Sequence, residues 1–169
     1  MSKAIELLEK MDKEKMIEAD PVKKPSHYTW NPLFECKELT QYIPFNEGNV
    51  VKYLYRCGFK GDAEQMVQDK KKALQYIRMM EDTPANLQRD IYSSLESFFV
   101  VIANRYNASQ SEEYYLACHD YTLILKCAEY FNDDDIRQAF IEVMNTLTQH
   151  NLHDRTTLYD RVSGILNIS

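Results

Sequence analysis

Glycine and proline are scarce in this sequence, with 4 and 5 copies among 169 residues. An all-β architecture built on many tight turns needs more of both, so the shortage favours long helices. It also removes two familiar phosphate cradles. Neither G-x-x-x-x-G-K-[ST] nor G-x-G-x-x-G occurs, and any phosphate must be held without a glycine-rich loop. Long apolar runs are missing as well: the longest, Phe98 to Ala103, is far short of the roughly 20 residues that span a bilayer. Met1 through Ile5 lead into alternating charges instead of an apolar stretch with a cleavage site, so no secretory signal is read and a cytoplasmic protein is expected. The four cysteines, Cys36, Cys57, Cys118 and Cys127, show no C-x-x-C spacing and fall in helical patterns. That suits reduced, partly buried thiols better than disulfides or zinc.

What is present is an ordered, aromatic chain: 44% apolar and 27% charged, with 12 Tyr and 7 Phe, enough for one domain or two small ones with a core. Its net charge of −6 is unevenly spread. Residues 1–82 hold 14 basic and 14 acidic side chains, whereas residues 83–169 hold 6 and 12. The acidic half offers no nucleic-acid surface. Within the neutral half, Lys52 to Arg78 carries seven basic residues against three acidic ones, so a cationic site belongs there.

Hydrophobic spacing predicts an all-α protein in three parts. Residues 1–22 form a helical arm capped by Ser2, with Ala4, Leu7, Leu8 and Met11 on one stripe. Residues 23–82 follow, entered through Asp20 to Pro32, where Pro21, Pro25 and Pro32 stand around Ser26, His27, Tyr28 and Trp30 in an extended and semi-rigid segment. A short helix from about Phe34 to Tyr42 follows, then a helical hairpin. Its first helix is capped by Asn46, runs from about Glu47 to Cys57 and is ended by Gly58; its second is capped by Asp62 and runs to about Met80. Residues 83–169 form an acidic four-helix unit. Its expected starts are Thr83 with Pro84, a Ser109–Glu112 capping box, Asn132 with Asp133 to Asp135, and Asp154. Exposed-looking aromatics in that unit (Tyr92, Phe98, Phe99, Tyr114, Tyr115, Tyr121) suggest a homo-oligomer.

Asn49, Lys52, Tyr53 and Arg56 sit at i, i+3, i+4 and i+7 and share one helix face. No carboxylate on that stripe neutralises it, and such a face wants an anion. In the next helix Asp69, Lys72, Ala73 and Tyr76 repeat the spacing, and antiparallel packing brings both stripes to one cleft with Lys60 at its end. The plainer alternative is a salt-bridged helical pair in which Lys72 answers Asp69. His27, pinned by Pro25, is the histidine best placed for a site, although a lone histidine is commonly structural. His119 reads as a packing or surface residue, and His150 and His153, three apart, flank an expected helix end that does not suit a metal pair. Asp133 to Asp135 suit a helix start without a metal. Glu35 and Glu38 share a helical face and are able to hold a hydrated Mg²⁺ bridged to phosphates; no metal site is assigned.

Three runs taken together carry a resemblance: Lys24-Pro25-Ser26-His27-Tyr28, then Gly48-Asn49-Val50-Val51-Lys52-Tyr53-Leu54-Tyr55-Arg56, then Asp69-Lys70-Lys71-Lys72-Ala73-Leu74-Gln75-Tyr76. They resemble the K-P-S-H-Y, G-N-x-[IV]-K-Y-x-x-R and D-x-x-K-A-x-x-Y motifs of a phage-encoded family known from the nucleotide kinase of T7-like phages. The likeness spans about Lys23 to Met80 and does not reach residues 83–169. It implies nucleotide and phosphate binding by His27, Tyr28, Asn49, Lys52, Tyr53, Arg56, Lys60, Asp69, Lys72 and Tyr76. Arg56 is the expected phosphate fork, Lys52 and Lys60 are point charges, Tyr53 or Tyr76 is a base-stacking or hydroxyl contact, and Asn49 an orienting hydrogen bond. That kinase phosphorylates deoxynucleoside monophosphates without a P-loop and has a cysteine-bearing N-terminal extension, which this sequence lacks.

Three functions follow as expectations. The first is Mg²⁺-dependent phosphoryl transfer from a nucleoside triphosphate to a nucleoside monophosphate, by positioning and charge neutralisation. The second is a non-enzymatic protein that sequesters a nucleotide or other phosphorylated small molecule, such as a phage decoy against a host defence signal. The third is a host-interaction protein in which the N-terminal motif is structural.

Overall fold

The computed structural model describes residues 22–84, 91–105, 121–148 and 152–168. Among them are seven α-helices and no strand, so the chain is all-α. None of these helices is long and apolar enough to cross a membrane. The expected N-terminal helix, the Ser109–Glu112 capping box, Tyr114, Tyr115, Cys118, His119 and His150 lie outside the described residues.

The proline segment is not extended throughout. Tyr28 N–H donates to the Pro25 carbonyl at 2.9 Å and closes a 3₁₀ turn, Ser26–Tyr28. Helix α1, Cys36–Thr40, starts later than expected because Glu35 and Glu38 cap it reciprocally, which frees Phe34 for the core. Helix α2, Phe45–Arg56, begins ahead of Asn46: the Pro44 carbonyl accepts the first helical bond, from Gly48 N–H at 2.8 Å. Gly58 and Gly61 take positive φ angles of 85° and 77° in the turn that follows. Helix α3, Ala63–Glu81, starts where expected, with the Asp62 side chain accepting from Gln65 N–H at 3.0 Å.

Helices α2 and α3 make the most extensive helix pair, through Val50, Val51, Leu54, Ala73, Leu74 and Ile77. The Thr83 hydroxyl donates back to the Met79 carbonyl at 3.0 Å, on the last turn of α3; Pro84 and Ile91 are non-helical, and residues 85–90 of the helix expected to start here lie outside the described residues. Helix α4 is Tyr92–Arg105, α5 is Tyr121–Ala128, α6 is Asp134–Thr148 and α7 is Leu158–Leu166. Helix α5 stops short of Phe131, whose ring packs on Trp30 and Phe140. Asp133 caps α6, accepting from Asp135 and Ile136 N–H at 2.9 and 3.0 Å. A 3₁₀ stretch, Leu152–Thr157, precedes α7, which therefore starts after Asp154.

One buried cluster runs from Leu33 to Leu166 and spans the 82–84 boundary. Phe34 meets Tyr55, Phe98 and Phe140 with ring centroids 5.2, 5.4 and 6.2 Å away. Asn31 Nδ2 donates to the Cys127 carbonyl at 3.0 Å, and Tyr159 N–H donates to Glu81 at 2.9 Å. A buried ion pair joins Glu47 of α2 to Arg155 at 3.5 Å. Phe98 and Phe99, expected on the surface, are buried in this core, so neither supports an oligomer face.

Candidate functional site

The stripe on α2 does not lack a carboxylate, because α3 supplies one. Arg56 Nε and Nη2 both donate to Asp69 Oδ1, at 3.1 and 2.7 Å, and Gln65 Nε2 donates to the same oxygen at 3.0 Å. Asp69 is fully buried and Arg56 nearly so. This corrects two expectations. The Nε–Nη2 edge of Arg56 is occupied by the chain's own carboxylate and is not a fork open to phosphate, and Asp69 is enclosed by Arg56 and Gln65 instead of pairing with Lys72. Burial works against the Arg56 charge, but the hydrogen bonds to Asp69 and Tyr28 outweigh it and hold its pKa above the ordinary value. Arg56 Nη1 donates to the Tyr28 hydroxyl at 3.3 Å, so the ion pair also ties the Ser26–Tyr28 turn to the hairpin.

Around this pair the hairpin gathers its remaining cations on one tyrosine. The Tyr53 ring has Arg56, Lys52 and Lys72 at 4.7, 5.5 and 5.5 Å from its centroid. Tyr76 stacks on it at 5.8 Å with 17° between planes. Lys52 and Lys72 form no ion pair with any carboxylate among the described residues, and Lys72 is exposed. His27 lies within electrostatic reach of the same group. Burial, then Lys60, Arg56 and Lys52, lower its pKa below the usual 6.5, with Asp69 opposing. The structure thus brings His27, Tyr28, Lys52, Tyr53, Arg56, Lys60, Asp69, Lys72 and Tyr76 into one neighbourhood.

Asn49 lies to one side, its amide donating to the Phe45 carbonyl at 2.8 Å, and it lines a cleft of about 540 Å³ with Lys52, Tyr28, Phe45 and Gly48. Cys36 is also in that wall, but burial pushes its thiol up to about 12, which leaves it protonated and no nucleophile. Phe45 was missed in the sequence, although it sits at i−4 from Asn49 and extends the same stripe by one turn. The tethers of the site were missed too: Trp30 Nε1 donates to the Tyr55 carbonyl at 2.8 Å, and the Tyr55 hydroxyl donates to the Phe34 carbonyl at 2.6 Å.

Of the carboxylates considered for Mg²⁺, Glu35 lines the cleft, and both Glu35 and Glu38 have basic partners. Glu35 pairs with Lys37 at 3.3 Å, and Glu38 accepts from Arg105 of α4 at 2.9 Å and from Glu35 N–H at 2.8 Å. Among the described residues no group of three or more His, Cys, Asp or Glu side chains is placed to hold a metal ion. No family profile, curated protein or solved structure matches the chain.

Proposed function

We propose that this protein binds a phosphorylated small molecule, a nucleotide by preference, on the cationic face where α2 and α3 meet. One observation carries the reading: three cations converge on the Tyr53 ring, and two of them, Lys52 and Lys72, have no carboxylate partner among the described residues. Like charges held this close repel, and a bound anion relieves that repulsion. The likeness of the three hairpin and turn motifs to the phage nucleotide kinase family supports the same ligand class. Arg56 contributes its field and its hold on Tyr28, while Lys52, Lys72 and Lys60 supply the direct contacts.

The test is incubation of the protein with nucleotide mixtures plus Mg²⁺, analysed for retained ligand and for conversion. Retention without change is the outcome expected of a sequestering protein. A new phosphorylated species would extend the reading to phosphoryl transfer, the activity of the resembled family. Lys52→Ala and Lys72→Ala should each weaken retention about tenfold or more, the scale of one charge-assisted hydrogen bond, with the melting temperature unchanged. If the wild-type protein neither retains nor converts any nucleotide, the reading is wrong and a structural role for the motifs takes its place.

A further inference from the structure

Phe45 is 72% exposed, unusual for a phenylalanine in the first turn of a helix whose apolar neighbours Val50, Val51 and Leu54 are fully buried. It is not isolated. Its ring stands edge-on to Tyr76 at 6.0 Å, and Tyr76 stacks on Tyr53, so three rings lead from the cleft to the cations. The cleft and the cationic face also share two side chains. Lys52 lines the cleft and stands over Tyr53, and Tyr28 lines the cleft while its hydroxyl accepts from Arg56. The cleft's volume of about 540 Å³ falls within the range of small-molecule sites.

A ligand spanning this arrangement has an anionic end and a flat, weakly polar end. Inorganic phosphate or a bare sugar phosphate would use only the first. From this juxtaposition we infer that Phe45 is the base platform of the nucleotide site: the base enters the cleft and packs on the Phe45 ring, with the phosphate at Lys52 and Lys72. The inference rests on the nucleotide-binding reading above and adds the residue that recognises the base. Burying the exposed ring against a base covers the surface that Tyr76 leaves open. Base stacking on an aromatic is sequence-tolerant, so Phe45 sets a preference for nucleotides as a class.

The experiment is titration calorimetry of the full chain with the common ribo- and deoxyribonucleoside 5′-monophosphates, with 2-deoxyribose 5-phosphate and with inorganic phosphate. At least one nucleotide is expected to bind tenfold or more tightly than the base-free sugar phosphate. Phe45→Ala should bring that ratio to near one while leaving affinity for the sugar phosphate within twofold, and Phe45→Trp should preserve it. Because Phe45 is exposed, thermal unfolding of both variants should match the wild type. Lys72→Ala should weaken every ligand in parallel. If the wild type binds sugar phosphate as tightly as nucleotides, or if Phe45→Ala keeps the preference, the base platform is refuted and the phosphate site stands. If nothing binds, both fall.

Discussion

Replacing Arg56 by Met leaves Asp69 buried with the Gln65 amide as its one remaining hydrogen-bond donor and no positive charge beside it. Oδ2 of Asp69 has no hydrogen-bond donor among the described residues, so none of them compensates on that side for the lost bonds. Breaking a buried pair from one side costs about 3–5 kcal/mol. In a chain of this length each kcal/mol moves the melting temperature by about 2–4 °C, so a fall of roughly 6–20 °C is expected. Arg56→Lys keeps the charge but cannot reproduce the Nε and Nη2 contacts together with the bond to Tyr28, and about 2 kcal/mol is expected. Urea unfolding of Arg56→Met, Asp69→Asn and the double variant closes the cycle. Each single variant should be severely destabilised and the double should cost less than their sum, with coupling of at least about 2 kcal/mol. A cost below about 1 kcal/mol for Arg56→Met, or additivity within about 0.5 kcal/mol, would mean the pair behaves as an exposed one and the account of the hairpin is wrong.

Tyr55→Phe removes the hydroxyl that donates to the Phe34 carbonyl and accepts from Asn31 N–H, so it should cost about 1–3 kcal/mol in urea unfolding; a neutral result would mean water replaces it freely. Hydrogen bonds from Arg105 hold the Glu38 carboxyl below its ordinary 4.5, outweighing burial. The unfolded chain therefore takes up this proton first as pH falls, and the stability that Glu38 contributes above pH 4.5 is lost through the lower folded value. Glu38→Gln should be less stable than wild type at pH 7, with the gap narrowing towards pH 3; a constant gap in urea midpoints would refute the link. His27, depressed by burial and then by Lys60, Arg56 and Lys52, should titrate below 6.5 by NMR, the signal being assigned with His27→Gln. Acidification through 6.5 should cost stability, because the unfolded chain protonates first, and a bound phosphate should move the midpoint upward. A ligand-free midpoint at or above 6.5 would contradict the cationic neighbourhood.

The helical class, the hairpin and the Asp62 cap were legible in the sequence because they rest on local rules. Apolar spacing of 3.6, a capping side chain and a glycine at positive φ act within a few residues, whatever surrounds them. The stripe of Asn49, Lys52, Tyr53 and Arg56 was legible for the same reason, and it is where the cations gather. Local rules could not say what faces a stripe. Only packing decided that Asp69 reaches Arg56 across the hairpin, that Glu38 pairs with Arg105 of α4, and that Phe98 and Phe99 go inward. Phe45 shows the boundary between the two sources. Its place on the stripe follows from counting by fours and threes, whereas its exposure beside a cleft depends on how Pro44, Tyr28 and Tyr76 are brought around it, a long-range arrangement that no window of sequence contains.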